Sequence, residues 1–284
     1  MTLFEKPYYL VKIMNKEWAD KLLNGEVYMR PLSAFSNLSK RDSDSNNTFR
    51  GDTSEGINIS FSNGQNSNFF KHIFGNNLSH IIGTGQIAEY LLQEKIYSLY
   101  CLEYDENNST FIAPSEQLIN FGNTAVIFFN SLEFLKRICY KLYSEYNESF
   151  WIGAKRIRYE VDLTISSEYD EFSKSKLYSW QNEFRIAVDL NEGKADKEAW
   201  ESMTDFCKIS FLNSGGKVNM NAERMPITLQ IGDIRDICVI VNTEDLITLN
   251  LPYEKFLLKP EILKPIEPPR KPYVTGYKPV FIIG

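Results

Sequence analysis

Histidine is the scarcest chemical resource of this 284-residue chain: there are two, against 31 Lys+Arg and 37 Asp+Glu. His72 and His80 lie in one stretch, with no Cys-x-x-Cys and no His-Glu-x-x-His beside them to complete a metal site. The sequence therefore predicts no metal centre. A Ser-His-Asp or Cys-His mechanism would have to draw its base from those two residues, because few other unperturbed side chains titrate near neutrality. Any catalysis falls to carboxylates, amides and hydroxyls.

Other absences narrow the class further. The four cysteines, Cys101, Cys139, Cys207 and Cys238, are widely spaced among apolar neighbours, the pattern of buried free thiols in a reducing compartment. No basic segment followed by an apolar one opens the sequence, and no apolar run approaches the ~18 residues of a membrane span. The expectation is a cytoplasmic protein without a membrane partner. A formal charge of -6 argues against general nucleic-acid binding.

What is present reads as a globular α+β protein with mixed or antiparallel sheets and a few helices. Tyr8 to Met14 and Glu26 to Arg30 are strand-like, and between them Asn15 is placed to cap a short helix carrying Trp18, Leu22 and Leu23. Residues 36 to 68 are dense in Ser, Asn and Asp, which bond their own backbone, so the prediction there is a long polar loop. Ile96 to Leu102 and Thr124 to Asn130 follow as strands. After them Ser131 is placed to cap a helix in which Phe134, Leu135, Ile138, Cys139, Leu142, Tyr143 and Tyr146 recur at helical spacing. Later strands are expected at Lys155 to Leu163, Glu183 to Leu190, Lys208 to Leu212, Ile227 to Ile231 and Ile234 to Val241, with a short helix at Asp196 to Met203. Six of eleven prolines lie between Pro260 and Pro279. The organisation that follows is one domain over residues 1 to 258 and an extended, proline-rich strap over 259 to 284.

The most informative spacing runs from Lys174 to Arg185. In a strand, residues two apart share a face, so Gln181, Glu183 and Arg185 project together as amide, carboxylate and guanidinium. The plain alternative is a salt bridge between Glu183 and Arg185 with no function attached. The acidic Arg50-Gly51-Asp52 and Glu55-Gly56 are read as turn formers, and Gly83-Thr84-Gly85 lacks the context of a phosphate cradle.

The run from Lys174 or Lys176, through an aromatic, to Gln181-x-Glu183-x-Arg185 resembles the signature of the bacterial DUF2971 family. Tyr8 to Lys12, Leu22 to Gly25, Val27 to Phe35, Arg50 to Gly56, Tyr97 to Leu102, Phe121 to Val126 and Ile234 to Val241 follow that family's order. Gln181 stands in place of the family's first glutamate, an insertion around residues 38 to 50 breaks a conserved turn, and a Trp-x-x-Tyr step before the middle strand is missing. Gln181-x-Glu183 also resembles the motif of mono-ADP-ribosyltransferases. That likeness implies an ADP-ribosyltransferase-like fold with NAD as cofactor, Glu183 as the catalytic carboxylate and Gln181 orienting the acceptor. A fixed carboxylate can stabilise an oxocarbenium-like centre without histidine. By the same likeness Lys12 and Arg30 are candidates for cofactor phosphates and Ser60 and Ser62 for a Ser-x-Ser strand, and Arg185 is counted with them among the cofactor-binding residues. The expected function is an NAD-dependent ADP-ribosyltransferase of a bacterial or phage conflict system. The competing expectation is a non-enzymatic module that recognises a protein partner or a nucleotide signal, which the sixteen tyrosines favour.

Overall fold

A computed structural model describes residues 6–32, 57–61, 85–88, 94–146, 150–160, 171–190, 194–196, 217–219, 226–252, 260 and 263–266. In chain order the elements are β1 (Tyr8–Met14), α1 (Lys16–Leu23), β2 (Glu26–Pro31), β3 (Ile57–Phe61), β4 (Gly85–Ala88), β5 (Lys95–Asp105), β6 (Thr110–Phe111), a 3₁₀ turn (Glu116–Phe121), β7 (Thr124–Phe128) and α2 (Ser131–Tyr146). There follow β8 (Trp151–Arg156), β9 (Arg158–Glu160), β10 (Ser173–Ser175), a second 3₁₀ turn (Lys176–Gln181), β11 (Glu183–Asp189), β12 (Lys194–Asp196), β13 (Lys217–Asn219), β14 (Ile227–Gln230), β15 (Cys238–Asn242) and α3 (Thr243–Ile247). The class is α+β. None of the described helices is long and apolar enough to cross a membrane.

Nine strands form one antiparallel sheet in which β5 is the hub. One edge of β5 carries β11 along Lys95 to Tyr100. The other edge is shared: β2 pairs with Lys95 and Ile96, while β1 pairs from Tyr100 to Glu103. The sheet therefore forks. One arm continues through β1, β7 and β15, the other through β2 and β14, and β11 leads outward to β8. The parallel pairs β9–β10 and β12–β13 and the antiparallel pair β3–β4 stand apart from the main sheet.

Period-two patterning gives the sheet two apolar faces. On one, Tyr8, Leu10, Tyr97, Leu99, Phe128, Phe184 and Ile186 meet Ala19, Leu22 and Leu23 of α1 and Phe134, Leu135, Ile138 and Leu142 of α2. On the other, Tyr9, Val11, Tyr100, Leu102 and Ile127 pack with Phe111, Leu118, Leu246 and Leu251. A smaller cluster of Leu32, Ile96, Ile157, Phe172 and Ala187 lies farther along this second face. Strand β7 is buried at every position because both its faces are covered, which is why its sequence is a continuous apolar run.

Several local expectations need correction. Trp18 is exposed, and the buried residues of α1 are Ala19, Leu22 and Leu23. Asn15 makes no side-chain cap; its carbonyl accepts from the Trp18 and Ala19 amides. Asn130, not Ser131, caps α2, accepting from the Glu133 amide at 3.1 Å. The Ser131 hydroxyl instead accepts from Leu10 N–H and donates to the Phe128 carbonyl, tying the helix start to the sheet. Tyr143 points to solvent rather than to the core. Within the expected polar loop, residues 57–61 form β3. The strand expected from Lys155 is two, β8 and β9, and β15 begins only at Cys238, after an irregular stretch at residues 231–234 and a turn at 235–237. Residues 208–212 and most of the helix expected at Asp196 lie outside the described residues.

Candidate functional site

The site begins with a turn. Ser175 caps the second 3₁₀ turn, its hydroxyl accepting from the Leu177 amide. The turn ends at Asn182 in the left-handed region (φ 36°, ψ 52°), which asparagine tolerates better than most residues. Asn182 is held on all sides. Its amide donates to Ser179 O, its carbonyl accepts from Cys101 N–H, its Nδ2 donates to Cys101 O at 2.8 Å, and its Oδ1 accepts from Arg156 at 2.6 Å. Arg156 also pairs with Glu103. This joint lets Gln181, which is outside the strand, turn its amide to the same place as the Glu183 carboxylate.

Both meet Lys174. Its ammonium donates to Gln181 Oε1 at 2.8 Å and to Glu183 Oε2 at 2.7 Å. The other oxygen, Glu183 Oε1, accepts from Arg185 Nε at 2.8 Å. Arg185 reaches on to the Glu171 carbonyl at 2.6 Å, and the Glu183 amide donates to Tyr159 Oη at 2.8 Å. Lys174 and Tyr159 are brought together by the register of β9 and β10. All four members of the network are buried: Lys174 is 6%, Gln181 7%, Glu183 4% and Arg185 2% exposed.

Burial alone would raise the Glu183 carboxyl. The guanidinium of Arg185 and then the ammonium of Lys174, with their hydrogen bonds, outweigh it and hold the carboxyl well below the usual carboxylate range. The Tyr159 hydroxyl is pushed up, chiefly by burial and next by the Glu183 charge. Glu183 is thus a permanent anion whose two oxygens are both engaged by internal cations.

The remaining candidates do not join it. Strand register sets Val11, Tyr100 and Glu183 side by side on one face, so Lys12 projects from the opposite, helical face. There its ammonium donates to the Ser98 carbonyl at 2.6 Å and lies 4.2 Å from the centre of the Tyr97 ring. Ser98 occupies the gap between the stretches of β5 that pair with β1 and with β2, so Lys12 fills the fork of the sheet. Desolvation lowers Lys12 to about 8, against an upward pull from Glu183 through the sheet. Lys12, a candidate for cofactor phosphate, therefore lies across the sheet from the Glu183 carboxylate.

Arg30 does share the face of Glu183, beside Ile96 and thence Ala187, but it is exposed and stands roughly 16 Å away between Cα atoms by strand spacing and rise. The apolar cluster of Leu32, Ile96, Phe172 and Ala187 fills the same face. Ser60 lies on β3, in a separate sheet, and Ser62, His72 and His80 lie outside the described residues. Arg185 is brought to Glu183, its Nε donating to Glu183 Oε1.

Tyr159, Asn182 and Arg156 were not singled out from the sequence. Only Asn182 carried a local signal, an αL-tolerant residue between a turn and a strand. Among the described residues no group of three or more His, Cys, Asp and Glu could hold a metal ion. An open pocket of about 480 Å³, lined by residues that include Lys16, Thr124, Asn242, Asp245 and Asn250, shares no residue with the Glu183 network. Comparison with family models, with curated proteins and with solved structures finds no match to this chain.

Proposed function

We propose that the chain is a non-enzymatic binding module that recognises a protein partner, with the Lys174–Gln181–Glu183–Arg185 network as an internal clamp. The observation that carries this reading is the engagement of both Glu183 oxygens by Lys174 and Arg185 in a buried setting. A carboxylate that stabilises a sugar cation must offer an oxygen to the substrate. Here an internal ammonium already holds that place. Tyr140, 77% exposed, adds an aromatic side chain of the kind that interfaces use.

A second reading keeps the NAD-dependent ADP-ribosyltransferase of a bacterial or phage conflict system, with an ADP-ribosyltransferase-like fold and the DUF2971 likeness behind it. It is favoured by the convergence of Gln181 and Glu183 on one cation. In it Lys174 marks where a cationic centre would sit, and substrate entry requires the clamp to open.

Incubating the full chain with NAD and measuring nicotinamide release separates the two. The binding-module reading expects release no faster than in buffer. Release that Glu183→Gln abolishes, in a variant whose circular dichroism is unchanged, overturns it in favour of the transferase.

A further inference from the structure

Lys12 takes no part in the Glu183 network and sits where β1 and β2 pair with different stretches of β5. Its side chain is half-buried. The ammonium donates to the Ser98 carbonyl at 2.6 Å and rests 4.2 Å from the centre of the Tyr97 ring. Among the described residues no carboxylate lies within ion-pair distance of it. A cation removed from water ordinarily answers to an opposite charge. Here a carbonyl dipole and a ring face stand in that place.

The rest of this face adds no charge of its own. Val126 stands opposite Lys12 on β7 and belongs to the apolar cluster of the helical face. The titratable side chains in or against that cluster, Tyr8, Tyr97, Tyr146, Cys101, Cys139 and Cys238, are phenols and thiols rather than carboxylates. Glu183 acts through the sheet and favours the charged amine, but desolvation outweighs it and brings Lys12 down to about 8. A neutral amine keeps an N–H on the Ser98 carbonyl and still has its lone pair to give. Tyr97 adds a second signal. Its hydroxyl, on a residue only 3% exposed and held protonated by burial, has no hydrogen-bond partner among the described residues. A buried donor without an acceptor carries a cost that a bound acceptor relieves.

We propose that Lys12 is a covalent site for a small aldehyde, which its amine takes as an imine while the Tyr97 hydroxyl donates to the aldehyde oxygen. Desolvated lysines in apolar surroundings are suited to this chemistry. The nitrogen lone pair adds to the carbonyl carbon, and the carbonyl's second bonding pair moves to oxygen. A proton passes from nitrogen to that oxygen, giving a carbinolamine. Its C–O bond then breaks, hydroxide leaves as water with a second proton from nitrogen, and a C=N bond remains. No oxidant or reductant enters. The Tyr97 ring is all that separates the amine from the hydroxyl, so a compact aldehyde reaches both. This site lies across the sheet from the Glu183 clamp and is independent of the binding-module reading.

The test treats the full chain at pH 7 with isotope-labelled formaldehyde and cyanoborohydride, which traps the imine as a methylamine, and reads each lysine by peptide mass spectrometry. Lys12 is expected to be modified at least about tenfold faster than the exposed Lys6, Lys16 and Lys176, whose amines are protonated at that pH. Lys174, held between Gln181 and Glu183, is expected to be spared, which separates an unpaired buried amine from a paired one. In unfolding urea the advantage of Lys12 is expected to vanish, a readout that needs no variant. In the folded chain its rate is expected to level off above about 8, while those of the exposed lysines keep rising. Tyr97→Phe keeps the ring and removes the hydroxyl, and is expected to slow Lys12 several-fold with the exposed rates unchanged.

Modification of Lys12 no faster than that of the exposed lysines overturns the proposal. So does an advantage that survives in urea, which would come from local sequence rather than from the fork of the sheet. A Lys12 rate that climbs with pH alongside the exposed lysines overturns it as well. An unchanged Lys12 rate in Tyr97→Phe overturns the part assigned to the hydroxyl.

Discussion

Two lysines flank β5 from opposite faces, and their surroundings differ in one respect. Lys174 meets a carboxylate and an amide, whereas Lys12 meets a carbonyl and an aromatic ring. Lys174 is buried and Lys12 half-buried. The comparison teaches that acceptor geometry can hold a cation against the sheet with a carboxylate in direct contact or without one. Lys174 is locked into an ion network with Glu183 and Arg185. Lys12 is held by dipoles, and desolvation brings it down to about 8.

The largest expected effect comes from breaking the paired side. Glu183→Gln leaves Lys174 and Arg185 buried with no carboxylate between them, and loss of one partner from a buried pair costs about 3–5 kcal/mol. Urea denaturation should show that loss as a lower midpoint with an unchanged slope. A loss under about 1 kcal/mol would mean that the network is more open than its burial indicates.

The next effect sharpens the unpaired side through pH. Lys12 has a folded value below its ordinary 10.5, so between about 8 and that value the unfolded chain holds a proton that the folded chain has released. Stability contributed by this group therefore rises with pH across the window. Burial holds the Tyr97 and Tyr159 hydroxyls above their ordinary 10.0, so they act in the opposite sense once the unfolded phenols ionise above about 10. Burial likewise pushes the Cys139 thiol up from 9.0 to about 11, which offsets the Lys12 slope above about 9. Thermal melts of wild type should rise from pH 8 to about 9, level off, and fall above about 10. Lys12→Met should lose the rise and keep the fall; an unchanged profile would refute the assignment.

The smallest effect is reserved for a solvent-exposed control. Arg137 bonds Asp236 at 2.5 Å and Glu133 at 3.0 Å on the rim of α2. Exposed pairs contribute under about 1 kcal/mol and are screened by salt. Asp236→Ala should therefore shift the urea midpoint little, and not at all in high salt. A shift as large as that of Glu183→Gln would remove the distinction between buried and rim networks.

Parts of this fold and site were legible in the residues because the signal was local. The apolar run at Thr124 to Phe128 and the helical spacing of Phe134, Leu135, Ile138 and Leu142 correspond to β7 and the buried stripe of α2. The two-residue spacing of Glu183 and Arg185 is a property of any strand, and they do share a face. Other parts were not legible. Ile57 to Phe61 lies within a polar stretch, and its strand depends on pairing with β4, more than twenty residues onward. The side from which Lys12 projects is set by its register against β5, about ninety residues away. Trp18 and Tyr143 fit the helical spacing of their neighbours but fall at the margin of the apolar stripe, where neither helix is covered.

By itself the sequence determined the α+β class, the main strands and helices and the convergence of a carboxylate and a guanidinium on one strand. Each follows from periodicities of two or of 3.6 residues that need no distant partner. The scarcity of histidine likewise narrowed the available chemistry without reference to any fold. Only the tertiary structure decided that β5 forks between β1 and β2, that Lys12 fills the fork, that Lys174 closes over Gln181 and Glu183, and that Ile266 bridges Ala154 of β8. Those outcomes depend on which segments meet across the sheet, and strand register between residues far apart in the chain is written in no local pattern.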